Sequence, residues 1–356
     1  MASIVTALPT EAFRFSGQST MDAWTLKEVI EKHGWKPYDR WLSKELALFL
    51  ERVRELVNAF PTWQRIALTG RKPIDERVVL VAIIVKQRFR LAYRTLESFL
   101  HVSAEFFRFP KIPDANTLSE KNRSSRFTLL LRRFHQFILD SLPNRKSVIA
   151  TDATGYSGKK RSWFETDYGL RATEGWVKSH AAVEVPQLLY LSSVQTSGRV
   201  HESRVFHEVW DDLPKNVEPL RSLADTAYSG EECLETVAAH GATPLHDVRA
   251  DAKHTRRPRT RYQKLVNFRI QWPNRFDQLT GDRSLVETTF SMTKNTFGDR
   301  IFSRSKRGKV NEVQAKQIAH NVRAGVLKPA AKDVVKYSWR GMLYLWCQFL
   351  IDLVRL

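Results

Sequence analysis

The sequence predicts an α/β protein: a mixed five-stranded sheet flanked by helices, preceded by an all-helical N-terminal domain. Three observations carry this. Apolar residues recur at helical spacing from about Asp22 to Asp140. The pattern breaks at "LPNRK" (142–146), where Pro, Asn and charge interrupt the helices. Beyond it the order runs strand, strand, strand, helix, strand, helix, strand, helix, which belongs to an α/β domain with a mixed sheet.

The helical region opens with "SKELALFLERVRELVNAF", whose charges sit between regularly spaced apolar residues. "DERVVLVAIIVKQRFRLAYRTLESFL" supplies one or two more helices, the first of them buried. After Pro113, one of Asp114, Asn116 and Thr117 can cap a new helix. A short helix, a break and a further helix carrying Lys121, Arg123 and Arg126 suits helix-turn-helix docking on DNA. An ordinary bundle with solvated basic faces fits the same pattern.

Next come "SVIATDATGYSG", then "GWVKSHAAVEV" and "QLLYLSSVQTS" separated around Pro186, all read as strands. "ESRVFHEVWDDL" is an amphipathic helix. "LRSLADTAYSG" is a fourth strand closing at Asp225, "EECLETVAAHG" a helix stopped by Gly241, and "TPLHDVR" a fifth strand. Residues 249–275 hold nine Lys/Arg against one acid, Asp251, with Tyr262, Phe268 and Trp272 interleaved. Cations for phosphates and rings for bases suit a nucleic-acid track, and Arg256, Arg257, Arg259 and Arg261 are its candidate contacts. A solvated loop is the bland reading. A second basic cluster, "RIFSRSKRGK", spans 300–309.

Composition narrows the function classes. The chain of 356 residues carries 57 Lys+Arg against 38 Asp+Glu, a net charge of +19. Such an excess points to a polyanionic partner, nucleic acid first. The 42% hydrophobic content excludes wholesale disorder. Two cysteines, Cys233 and Cys347, are too few for a disulfide framework or a thiolate zinc site, so a reducing, intracellular setting is expected, cytoplasmic and, with nucleic acid as leading partner, nucleoid-associated. The opening "MASIVTALPTEAFRF" lacks a signal-peptide layout. The apolar run at 78–85 and the C-terminal "RGMLYLWCQFLIDLVRL" are both too short to span a membrane and read as core or interface helices.

Three acids stand at informative positions. Asp152 closes the first strand, Asp225 the fourth, and Glu287 lies in "RSLVETTFSMTK" (283–294). On a helix, Arg283, Glu287 and Lys294 fall in one narrow stripe beside Val286, Phe290, Thr293 and Phe297. If strands one and four are neighbours, Asp152 and Asp225 meet at one sheet edge, and the helix brings the third carboxylate. An all-oxygen site of that kind suits Mg²⁺ or Mn²⁺ and can hold two ions about 3.5–4 Å apart. Arg283 and Lys294 then flank Glu287 as phosphate contacts. Salt bridging to Glu287 is the alternative, workable for Arg283 four residues back and poor for Lys294. His201 and His207 make no convincing zinc pair.

The pieces "ATDATGY", "WVKSH", "GRVHES", "LADTAYSG" and "RSLVETTFSMTKNTFG" resemble the DDE transposases of bacterial and archaeal insertion sequences, over roughly 146–327. The resemblance implies an RNase H-like catalytic domain with Asp152, Asp225 and Glu287 as catalytic, metal-binding triad. It implies two Mg²⁺ or Mn²⁺ ions and cleavage of terminal inverted repeats followed by strand transfer into target DNA. Arg283, Glu287 and Lys294 match the family signature Tyr-x2-Arg-x3-Glu-x6-Lys, while Thr280 stands at the tyrosine position. Lys178 and His180 match a Lys-x-His on the second strand; DNA contact is open to both, sheet packing equally to His180. Expected boundaries are 1–142 for a helical DNA-end-binding domain, 146–327 for the catalytic domain with a short basic insertion at 249–280, and 328–356 for a helical tail. Double-stranded DNA is the expected partner and a homodimer the expected assembly, since two ends must be joined. The rivals are a nuclease of the same fold without strand transfer, and a transposase-derived DNA-binding protein that has lost its chemistry.

Overall fold

A computed structural model describes residues 44–61, 74–158, 176–185 and 187–335, side chains being described up to 325. Among the described residues six helices precede the sheet: α1 (Glu45–Ala59), α2 (Glu76–Phe89), α3 (Tyr93–Val102), α4 (Ala104–Phe107), α5 (Ala115–Asn122) and α6 (Ser125–Asp140). The apolar run at 78–85 is buried throughout α2. Asp114 caps α5, its carboxylate accepting from Thr117 N–H at 2.8 Å. Ser124 caps α6 in the same way. Because α5 and α6 turn Leu118, Phe127, Leu131 and Phe134 into one apolar core, their charged residues are left on the outside.

The five strands are β1 (Arg145–Tyr156), β2 (Val177–Val185), β3 (Leu189–Ser197), β4 (Val217–Ala224) and β5 (Thr243–His246). Their order is β3-β2-β1-β4-β5. β1 pairs antiparallel with β2 and parallel with β4, so strands one and four are neighbours as the sequence reading required. The fold is thus the mixed five-stranded sheet flanked by helices that was expected. Between strands lie α7 (Phe206–Asp211) and α8 (Glu231–Ala239); α9 (Arg261–Gln271), α10 (Pro273–Thr280), α11 (Leu285–Phe297) and α12 (Lys306–Val335) follow. The predicted helix after β3 begins as a 3₁₀ turn, Glu202–Val205. The basic stretch read as track or loop is half helical, because Thr260 and Gln263 form a capping box and Pro273 starts α10.

Side-chain alternation sorts the sheet. Val148, Ala150 and Leu223 pack with Val286 and Phe290 of α11 and with α9 and α10. Ile149 and Ala224 pack on the opposite face with Trp210 of α7 and Cys233 and Val237 of α8. α12 joins this sheet to the helical region. Its Ala315, Ile318, Ala319 and Val322 sit in the same core as α1, α2 and α6. On its other side Asn321 bridges the backbone of edge strand β3, accepting from Tyr190 N–H at 2.9 Å and donating to Tyr190 C=O at 2.8 Å. Glu45 accepts from Arg88 of α2 at 2.7 Å and Arg323 of α12 at 2.8 Å. Among the described residues no helix is long and apolar enough to cross a membrane. Cys347 and the predicted C-terminal helix lie outside the described residues.

Candidate active site

The paired register of β1 and β4 ends at Thr151 opposite Ala224. The next residue on each strand is an aspartate, so the register itself sets Asp152 beside Asp225. By alternation both follow the parity of Ala150 and Leu223, the face that α11 covers. Each carboxylate is fixed locally: Ala153 N–H donates to Asp152 Oδ1 at 2.7 Å, and Ala227 N–H to Asp225 Oδ1 at 2.9 Å. Trp210 Nε1 donates to Thr151 Oγ1 at 3.2 Å from below, anchoring the end of β1.

A third carboxylate joins them, one to which the sequence reading gave no role. One oxygen each of Asp152, Glu202 and Asp225 lies within 4.8 Å of the others, all three residues being partly buried. Glu202 opens the 3₁₀ turn after β3, which His201 caps by accepting from Ser203 N–H. Lys178 of β2 holds it at 2.6 Å. The only signal in the sequence was the acid inside "GRVHES". Tyr228 closes the cluster from beneath: it is fully buried, and its hydroxyl makes no hydrogen bond among the described residues. Burial, then the charges of Glu202, Asp152 and Asp225, push that phenol's pKa well up.

Glu287 lies outside this trio, on the exposed side of α11, with 58% of its side chain accessible. It lines with Asp152 a cleft of about 660 Å³, together with Arg90, Thr154, Lys294 and Asp299. Asp152 is the group on which these charges converge. Burial first, and then Asp225, Glu202 and Glu287, push its carboxyl up to about 7, against the opposing hydrogen bond from Ala153. Asp225 is raised for the same leading reason, with Arg283 pulling the other way. Crowded, partly desolvated carboxylates of this kind fit a hard divalent cation, which would remove the repulsion that raises them.

The flanking cations are tied down. Arg283 binds Asp247 at 3.0 Å and reaches Glu287 only at 3.5 Å. Lys294 donates to Thr154 Oγ1 at 2.6 Å and lies 5.4 Å from the centre of the Tyr156 ring, so it reaches β1 rather than Glu287. Thr280, at the signature's tyrosine position, is buried and donates back to Phe276 C=O at 2.9 Å. His180 is also buried, bonded to Thr196 Oγ1 at 2.9 Å, and burial lowers its pKa to about 4. Burial therefore favours the neutral ring. Arg256, Arg257, Arg259 and Arg261 are exposed, and Arg256 lines a groove of about 330 Å³ with His254, Lys264, Phe268 and Trp272. Lys121, Arg123 and Arg126 are exposed on α5, α6 and the turn between them, Arg126 pairing with Glu76 at 2.6 Å.

The family model for the transposase DDE domain matches residues 143–322, from just before β1 into α12. This chain belongs to the transposase DDE-domain family. The matched region of this DDE protein includes all four acids and both flanking cations. A solved structure, the cryo-EM piggyBac transposase synaptic complex with hairpin DNA, is similar over 88% of this chain and 80% of that one, at 10% identity and a TM-score of 0.43. No curated protein matches the DDE chain.

Proposed function

We propose that this protein is a metal-dependent transposase of a prokaryotic insertion sequence, which cuts DNA at the element's ends and joins them to target DNA. The observation that carries the reading is the register of β1 and β4, which ends in Asp152 beside Asp225, with Glu202 in contact range and Glu287 in the same cleft. Asp152, Asp225 and Glu287 are the proposed catalytic residues and would hold two Mg²⁺ or Mn²⁺ ions, with Glu202 beside them. Bound there, the metal would activate a water or 3′-hydroxyl and neutralise charge on the departing oxygen.

The protein's own groups do the positioning. Ala153 and Ala227 N–H hold one oxygen of each aspartate, which fixes the two carboxylates before substrate arrives. Lys294, steadied by Thr154, and Arg283, steadied by Asp247, are proposed to take DNA phosphates on either side of the cut. Lys178 orients Glu202. Arg256, Arg257, Arg259 and Arg261 around the Trp272 groove, and Lys121, Arg123 and Arg126 on the helical region, are proposed to grip the terminal repeats. Joining two ends calls for two copies of the chain, a homodimer assembled on DNA in the nucleoid.

The test uses duplexes copied from the DNA flanking the gene, with Mg²⁺ or with EDTA. Wild type should nick them only with the metal and yield donor–target joints. Asp152→Asn, Asp225→Asn and Glu287→Gln should each do neither. Nicking without joints would leave a nuclease. Binding without metal-dependent nicking would leave a DNA-binding remnant.

A further inference from the structure

Residues 298–309, "GDRIFSRSKRGK", carry five Lys/Arg against one acid, Asp299. Gly298 and Asp299 line the cleft with Asp152 and Glu287, so this basic segment begins at the active site and leads away from it. Arg300, Arg304, Lys306 and Arg307 are exposed, and the Phe302 ring is 53% accessible with the Arg300 guanidinium 5.3 Å from its centre.

The backbone beneath these side chains is held by two buried charges one turn apart on α12. Lys316, 1% exposed, donates to Gly298 C=O and to Arg300 C=O, both at 2.7 Å. Glu312, also 1% exposed, accepts from Phe302 N–H at 3.0 Å and Ser303 N–H at 2.9 Å. Ile301 N–H donates to Ser157 C=O at 2.9 Å, fastening the segment to the end of β1. Gly298 adopts φ +84°, and a methyl group there would meet Arg90 Nε at 3.2 Å. Burying a lysine and a glutamate carries a desolvation cost even when both are hydrogen-bonded. A neutral loop needs no such support. A row of cations meant to meet a regular line of phosphates gains from it, because side chains on a fixed backbone lose less entropy on binding.

We propose that residues 298–309 form a rigid phosphate-binding platform for the DNA leaving the cleft, with Arg300, Arg304 and Arg307 as its contacts and Glu312 and Lys316 as its positioning residues. The platform deepens the transposase reading and rests on it. Phe302 and the Arg300 guanidinium offer a flat face at the same surface, suited to stacking on a splayed base.

The experiment measures full-length protein binding to a fluorescein-labelled duplex of arbitrary sequence in EDTA, from low to high KCl. Wild type should show a steep fall of log K with log salt. Arg300→Ala/Arg304→Ala/Arg307→Ala should flatten that slope by about 2 to 3, since each lost phosphate contact removes about 0.9. Lys316→Met removes no surface cation, yet it should flatten the slope partway and raise the mobility of residues 298–303 in hydrogen exchange. An unchanged slope in the triple variant overturns the platform even where nicking of flanking DNA is normal. A slope flattened by the triple variant, with no nicking by wild type when Mg²⁺ is added, instead sinks the transposase reading and leaves residues 298–309 only as a phosphate-binding surface. Should Lys316→Met fail to fold, the triple variant, changed only at the surface, still decides.

Discussion

Asp152 is the residue on which the site's electrostatics turn. Its folded pKa of about 7 lies above its ordinary value of 3.8. Folding therefore takes up a proton between those values, and the stability it contributes is present below pH 4 and lost as pH rises through about 7. Asp152→Asn should melt higher than wild type at pH 7.5 in EDTA, by on the order of 2 kcal/mol, with the gap closing toward pH 4. Protons and cations compete for the same oxygens, so Mn²⁺ affinity by calorimetry should climb with pH and level off above about 7. Glu202→Gln should weaken Mn²⁺ binding about tenfold or more while leaving the fold intact, because Gln keeps the volume and can still face Lys178. An unchanged affinity would remove Glu202 from the site. Asp152 and Asp225 were legible in the sequence because each closes a short run read as a strand, just before turn residues. Glu202 was not, because a lone acid at a helix start is ordinarily only a favourable charge at the helix N-terminus.

At the scale of elements, α12 departs furthest from what its residues suggest. Asn311, Glu312, Gln314, Lys316, Gln317, His320 and Asn321 are polar or charged, yet all are buried. All but Gln314 meet a hydrogen-bond partner that sequence order does not reveal. Gln317 bonds Ser179 and Ser193, His320 bonds Leu188 C=O, and Asn321 stands where a sixth strand would. Strands and most helices were legible because period and turn chemistry are local signals. A polar helix that seals an edge strand is a tertiary arrangement with no local mark. Asn321→Ala leaves the Tyr190 N–H without its acceptor in the interior, while the C=O keeps His135, and should cost about 1–3 kcal/mol in urea unfolding. A loss below about 0.5 kcal/mol would mean that β3 needs no such seal.

For the whole molecule, the expected division at about residue 142 marks where the chain changes from helix to strand, while the apolar core runs across it. Phe297, Ala315, Ile318 and Val322 belong to the helical core, and His135 of α6 bonds Tyr190 C=O of β3. Far-UV circular dichroism and tryptophan fluorescence should accordingly report one shared unfolding transition. Two well-separated midpoints would show independent units.

The helix that fills the helical core and seals β3 is made after both of them. During synthesis α1 to α6 emerge with a gap where α12 belongs, and β3 emerges with a bare edge. Neither can settle until residues 306–325 leave the ribosome. A polypeptide stopped short of them would keep its four acids yet leave the helical core open and the edge of β3 unsealed, so a truncated product would carry the residues of the cleft without the finished frame around it.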